Sequence, residues 1–148
     1  MEQAVVKILL LGICGYGSNY IKEISERDIP GIKIEGICEV VPNAADLYPI
    51  IKEQNIPIYQ TPEDFYKEHT ADLAVVSTPI HLHYSQIVTC LTHGSNVLTE
   101  KPVCTSVEGA RKLEQLEKEK GIPVDYMLDR VGQALITAYK RDNDGMTD

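Results

Sequence analysis

The 148-residue chain has no tryptophan, one phenylalanine and too few basic side chains to balance its acids. Fourteen Lys and Arg stand against 22 Asp and Glu, a formal charge of −8. That deficit argues against nucleic acid as a principal partner, because phosphate-backbone binding is driven by Lys and Arg. It leaves room for an anionic cofactor, since amides at a helix start hold phosphate without side-chain charge. No stretch approaches the roughly 20 apolar residues of a membrane span. The early run "VVKILLLGICG" is too short for a secretion signal and has no small-residue cleavage pattern. Cys14, Cys38, Cys90 and Cys104 form neither C-x-x-C nor a zinc-like cluster. Three lie in or beside apolar segments, as buried thiols of a reducing compartment do. A soluble, cytoplasmic protein without membrane or metal partners is the expectation. With 43% hydrophobic and 24% charged residues and no internal repeat, the length suits one domain with a proper core.

What is present is an alternation of strand-like and helix-like segments. Val5 to Leu11 is a nearly unbroken apolar run, suited to a strand covered on both faces. Asn19 to Arg27 reads as a helix, Lys33 to Cys38 as a strand, Asn43 to Gln54 as a helix, and Pro57 to Tyr59 as a brief strand. "TPEDF" at 61–65 is a helix start: Thr61 caps, Pro62 takes the first helical position and acids fill the first turn. Leu73 to Ser77 reads as a strand and Tyr84 to His93 as a helix stopped by Gly94. After a strand at Asn96 to Thr99, Thr105 and Glu108 have the spacing of a capping box. Val107, Ala110, Leu113 and Leu116 then make an apolar stripe ended by Gly121. Val124 to Leu128 and Val131 to Arg141 read as a last strand and helix, before a polar tail. Repeated β-α-β units predict a doubly wound parallel sheet, an α/β/α arrangement whose ligands bind beyond the carboxyl ends of the strands.

The candidate site residues fall at those ends. The loop Gly12, Gly15, Tyr16, Gly17, Ser18, Asn19, Tyr20 follows the first strand and opens the first helix. Read as G-x-G-x-x-G, it runs from Gly15 to Tyr20, with tyrosine in place of the third glycine. On that frame Tyr20 must point away or push the helix outward. Glu39 ends the second strand at about the separation expected of the acid that binds a ribose, and Val40, Val41 and Pro42 follow it without a cation. A carboxylate there favours NAD over NADP, whose 2′-phosphate it would repel. His69, His81 and His93 read as exposed polar residues.

"STPIHLHYSQI" (77–87), "NVLTEKPVCTSVEGARKL" (96–113) and "YKRDNDG" (139–145), with the glycine loop, resemble the nucleotide-binding half of the glucose–fructose oxidoreductase/inositol dehydrogenase family, Gfo/Idh/MocA. The pairing of T-P-x-x-x-H with E-K-P carries the resemblance; the glycines alone would not. It implies a Rossmann fold and an oxidoreductase moving hydride between NAD(P) and the CH–OH group of a sugar, inositol or related polyol. It implies that Gly15 and Gly17 hold the pyrophosphate, and that Ser77, Thr78, Pro79 and His83 line the cofactor groove. Glu100 and Lys101 would lie near the nicotinamide, with Lys101 assisting proton transfer. Ile80 departs from the polar residue usual after T-P.

Family enzymes carry a second domain that supplies the substrate pocket. On that ground residues 1–148 are expected to be a single cofactor domain that binds without turnover. The alternative is a stand-alone NAD-binding, sensing or interaction module. Val131, Leu135, Ile136 and Tyr139 discriminate: exposed, they imply a substrate domain or a homodimer partner, and docked on the sheet they imply self-sufficiency.

Overall fold

A computed structural model of the chain describes residues 5–27 and 29–119. Five parallel strands, β1 (Val6–Leu11), β2 (Ile32–Cys38), β3 (Ile58–Tyr59), β4 (Leu73–Val76) and β5 (Asn96–Thr99), form one sheet in the order β3-β2-β1-β4-β5. The helices are α1 (Ser18–Arg27), α2 (Pro49–Glu53), α3 (Pro62–Glu68), α4 (Ile80–Thr92) and α5 (Val107–Glu119). Two compact units divide the chain, Met1–Leu113 and Glu114–Asp148. The first holds the whole sheet; the second is described only to Glu119, where Lys118 Nζ pairs with Glu114 Oε1 at 2.7 Å. The expected strand and helix at 124–128 and 131–141 lie outside the described residues, as does Gly121.

β1 explains the layering. Ile8 and Leu10 face one core with Ile21 of α1 and Ile50 and Ile51 of α2. Leu9 and Leu11 face another with Phe65 of α3, Ile87 and Cys90 of α4 and Leu113 of α5. An apolar run with no polar face is therefore used on both sides, each buried aliphatic side chain contributing about 1.5–3 kcal/mol. The result is the expected α/β/α doubly wound fold.

Three boundaries differ from the sequence reading. The segment 43–54 is not one helix: a 3-10 turn at Ala44–Asp46 precedes α2, which restarts at Pro49. Proline lacks the N–H that would continue a helix and drives Tyr48 into extended geometry (φ −137°, ψ 126°). Helix α4 begins at Ile80, four residues earlier than read, directly after Pro79. At α5 the cap is Ser106, whose Oγ accepts the Gly109 N–H at 3.0 Å; the Thr105–Glu108 box is unused and Glu108 pairs with Lys112. Elsewhere the caps hold as read: Thr61 Oγ1 accepts the Asp64 N–H at 3.2 Å, and Gly94 adopts φ +89° after α4. Of the stripe on α5, Leu113 is buried and Val107 is 70% exposed.

Candidate cofactor groove

The order of strands reverses between β1 and β4, and their carboxyl ends touch there. Ser77 N–H bonds the Leu11 carbonyl at 2.8 Å, and Gly12 N–H bonds the Cys38 carbonyl at 2.9 Å. A Cβ on Gly12, which has φ +82°, would lie 2.9 Å from the Ser77 carbonyl oxygen. A Cβ on Gly17 would lie 2.2 Å from the Gly12 carbonyl oxygen. Gly15 has open space around its Cβ position. The residue that lets the helix rest on the strand is therefore Gly17, and the frame is Gly12-x-Cys14-x-x-Gly17. This corrects the frame from Gly15 to Tyr20: the substitution falls at the second glycine, as Cys14.

Tyr20 accordingly neither crowds the loop nor pushes α1 outward. It packs against the first core, and its hydroxyl donates to Glu100 Oε1 from across the ends of β1 and β4. Burial, then the hydrogen bond to Glu100, pushes its phenol up to about 12.

Glu39 is held by the glycine loop itself. Its Oε2 accepts the Ile13 N–H at 3.0 Å, and its Oε1 accepts those of Val40 (2.9 Å) and Val41 (3.2 Å). Burial works to raise its pKa, but these amides and the Cys14 thiol outweigh it and hold the carboxyl below its ordinary range. The Cys14 thiol is pushed up by burial and by Glu39, so it stays protonated at neutral pH. Tyr48 steadies the same loop, donating to the Ile13 carbonyl at 3.0 Å.

These elements enclose a groove of about 590 Å³, within the range of small-molecule sites. Gly12, Gly15, Tyr16, Glu39, Ser77, Thr78 and Pro79 line it as expected. Gly17, Ser18, Asn19, Tyr20, Glu100 and Lys101 are not among its lining residues. Lys101 is exposed and Glu100 half-buried at the end of β5. His83, expected in the groove, is buried behind it, because its ring is turned onto backbone carbonyls rather than the cavity. Sequence reasoning missed Cys14, Cys38, Val40, Val41 and Leu82, which add to the apolar lining of the groove, and the two amides Gln60 and Gln86. Gln86 Oε1 accepts from Thr78 Oγ1 at 2.5 Å. His81 is exposed as read, yet it also lines the groove. His69 is not simply exposed; it is half-buried beside Glu35.

A family model described as oxidoreductase family, NAD-binding Rossmann fold, matches residues 6–127. The chain belongs to the Gfo/Idh/MocA family. Among relatives of this Gfo/Idh/MocA chain, an inositol 2-dehydrogenase of Rhodococcus jostii is 29% identical over 123 residues, covering 78% of this chain and 31% of that protein. An NADP(+) scyllo-inositol 2-dehydrogenase of Bacillus subtilis is 32% identical over 60 residues, 40% of this chain and 17% of the relative. Among solved structures, myo-inositol 2-dehydrogenase from Lactobacillus plantarum matches with TM-score 0.69 at 17% identity, over 78% of this chain and 33% of that one. The WlbA dehydrogenase from Bordetella pertussis, solved with NADH and UDP-GlcNAcA, matches with TM-score 0.69 at 22% identity, over 82% and 34%. These structural likenesses are likenesses of fold. The chain spans about a third of the length of the curated relatives it matches over most of its own length.

The residues of this Gfo/Idh/MocA domain fit a dinucleotide. At Gly12 and Gly17 a Cβ would strike the Ser77 and Gly12 carbonyls, so the loop that opens α1 packs directly on the strand ends, the close packing that a dinucleotide loop requires. Ser77 Oγ is buried at the groove with no hydrogen-bond partner in the protein. Such a group costs about 1–3 kcal/mol unless a ligand or water meets it. No group of three or more His, Cys, Asp or Glu suits a metal ion among the described residues, and no helix there is long and apolar enough to cross a membrane.

Proposed function

We propose that this chain binds NAD(H) in preference to NADP(H), as the cofactor domain of an oxidoreductase acting on the CH–OH group of a sugar, inositol or related polyol. The observation that carries the cofactor preference is Glu39. Three backbone amides keep its carboxylate ionised at the groove with no cation beside it in 40–42. A carboxylate so held takes hydrogen bonds from ribose hydroxyls and repels a 2′-phosphate. Bound there, the nicotinamide supplies a hydride acceptor or donor. Gly12 and Gly17 would seat the pyrophosphate at the start of α1, and Ser77 and Thr78 would border the crossing toward β5.

Lys101, exposed beyond β5, is the group we assign to proton exchange with a substrate hydroxyl, with Glu100 beside it in the chain. An ammonium on a flexible stem is suited to that task. The substrate class rests on the family and on the inositol dehydrogenase relatives. We infer that residues 1–148 alone bind cofactor without turnover, because hydride transfer needs donor and acceptor held together in near-attack geometry. Four free cysteines, two of them buried, support a cytoplasmic setting.

The test is calorimetric titration with NAD, NADH and NADP, with absorbance at the reduced-nicotinamide band followed after adding myo-inositol. Binding of NAD or NADH, weaker binding of NADP and no absorbance change is the expected result. Equal affinity for NADP would remove the role given to Glu39. Steady NADH formation would overturn the reading that the chain does not turn over.

A further inference from the structure

The groove treats the two ends of a dinucleotide unequally. Val40 and Val41, which follow β2, and Leu82 on α4 give it apolar walls, and Gln60 and Gln86 add two amides. Apolar walls with a few placed polar groups suit a flat, uncharged base, and the Glu39 carboxylate suits the hydroxyls of its ribose.

The loop end offers a diphosphate much less. Among the described residues no Lys or Arg lines the groove, and Glu39 is itself an anion. Amides at a helix start can stand in for cations. Here two of them are already engaged within the loop. Gly17 N–H donates to the Cys14 carbonyl at 3.1 Å, and Ser18 N–H donates to the carbonyl of Gly15.

Cys14 adds bulk at the same place. It holds the second position of the glycine frame, where a glycine lets the main chain come close to a pyrophosphate. Its backbone is extended (φ −95°, ψ 167°), which any residue can adopt, so the fold does not call for glycine there. The side chain lines the groove, and its thiol is hydrogen-bonded to the Glu39 carboxylate. The sulfur thus spans from the glycine turn to the ribose acid, the stretch that a diphosphate has to cross.

We propose that the groove takes most of its affinity for a dinucleotide from the adenosine half, and that Cys14 is the specificity-determining residue that holds the diphosphate off the main chain. The proposal deepens the cofactor-binding reading and rests on it. The ligand class that follows is the adenine nucleoside, to which a 5′-phosphate chain adds little. A glycine at position 14 would let the loop amides reach the phosphate oxygens.

The experiment is calorimetric titration of the full chain and of its Cys14→Gly and Cys14→Ala variants with adenosine, ADP and NAD. In the wild type, NAD should bind within about threefold of adenosine, less than one charge-assisted hydrogen bond would contribute. A larger advantage for NAD overturns the dominance of the adenosine half, as does NAD binding without adenosine binding. Cys14→Gly should gain about tenfold more for NAD and ADP than for adenosine, the effect of one amide reaching a charged oxygen. Cys14→Ala, which keeps the Cβ and loses only the sulfur, should show a smaller gain in the same direction. Gains equal for all three ligands, or no gain in either variant, overturn the role of Cys14. A wild-type chain that takes up neither adenosine nor NAD overturns the cofactor reading instead, so the two failures are distinct.

Discussion

Two glutamates of the β2 segment, one inside the strand and one just past its end, make their charges tolerable in opposite ways. Glu35, within the strand, has Lys33 Nζ 2.8 Å from its Oε2, as an ion pair rather than a directed hydrogen bond, and His69 Nδ1 3.3 Å from its Oε1. Glu39, just past the strand, has no cation among its hydrogen-bond partners and is held by three backbone N–H groups. For both, burial pushes the pKa up and is outweighed: by Lys33 and His69 at Glu35, by Ile13, Val41 and Val40 at Glu39. The two side chains are alike in charge state, but only one is open to a new partner. A carboxylate neutralised by a cation has little to offer a ligand. One held by peptide dipoles keeps its negative field, and that field faces the groove. The difference separates a carboxylate that serves the fold from one that serves recognition.

The sharpest way to break this contrast is to remove each carboxylate in turn. Glu39→Ala should weaken NAD and NADH binding by about ten- to a hundredfold, the value of charge-assisted hydrogen bonds to a ligand. Glu35→Ala should leave calorimetric affinity unchanged while costing about 1 kcal/mol of stability in denaturant unfolding, since its Lys33 partner is mostly exposed. Equal losses of affinity in the two variants would dissolve the distinction.

Acid and salt sharpen it. Both folded-state pKa values lie below the ordinary 4.5, so each contribution to stability is full above that value and is lost as pH falls through the lowered folded value. Near neutral pH, molar salt should shrink the stability gap between wild type and Glu35→Gln, because the lysine end of the pair is exposed and open to screening. The gap for Glu39→Gln should persist, its partners being fixed peptide dipoles. Thermal unfolding of the three proteins at low and high salt is the measurement.

The smallest effect concerns Tyr20. Tyr20→Phe should change NADH affinity by less than about threefold, because it removes one hydrogen bond and leaves Glu100 accessible to water. Its phenol titrates near 12, so the stability it adds is full below its ordinary 10 and declines as pH rises to about 12. Ultraviolet titration of wild type and variant should differ by one tyrosine in that late step.

Much of this could be read in advance, for identifiable reasons. β1 was legible because an unbroken apolar run has few other uses, and the α3 start because Thr61 and Pro62 act through neighbours in the chain. The site at strand ends followed from the β-α-β alternation. The glycine frame did not, since three glycines allow more than one match. Which is indispensable depends on where the Gly12 and Ser77 carbonyls lie, a fact of tertiary structure. The break before α2 was written in Pro49, whose effect the helical periodicity masked. His83 was found as a motif residue but misplaced: its partners are carbonyls five and 19 residues away, and main-chain acceptors carry no residue code. Val40 and Val41 were noted only for the cation they lack, although they line the groove and donate to Glu39.

The central position of β1 has a consequence for motion. It is bonded to β2 on one side and β4 on the other and covered on both faces, and Gly17 rests on the carbonyl that follows it. Its amides should therefore exchange with solvent only on global unfolding, among the slowest in the chain. On that expectation the floor of the groove stays closed in the folded chain. Any opening that admits or releases a dinucleotide must come from the walls, the Glu39–Val41 segment on one side and the Thr78–Pro79 segment on the other.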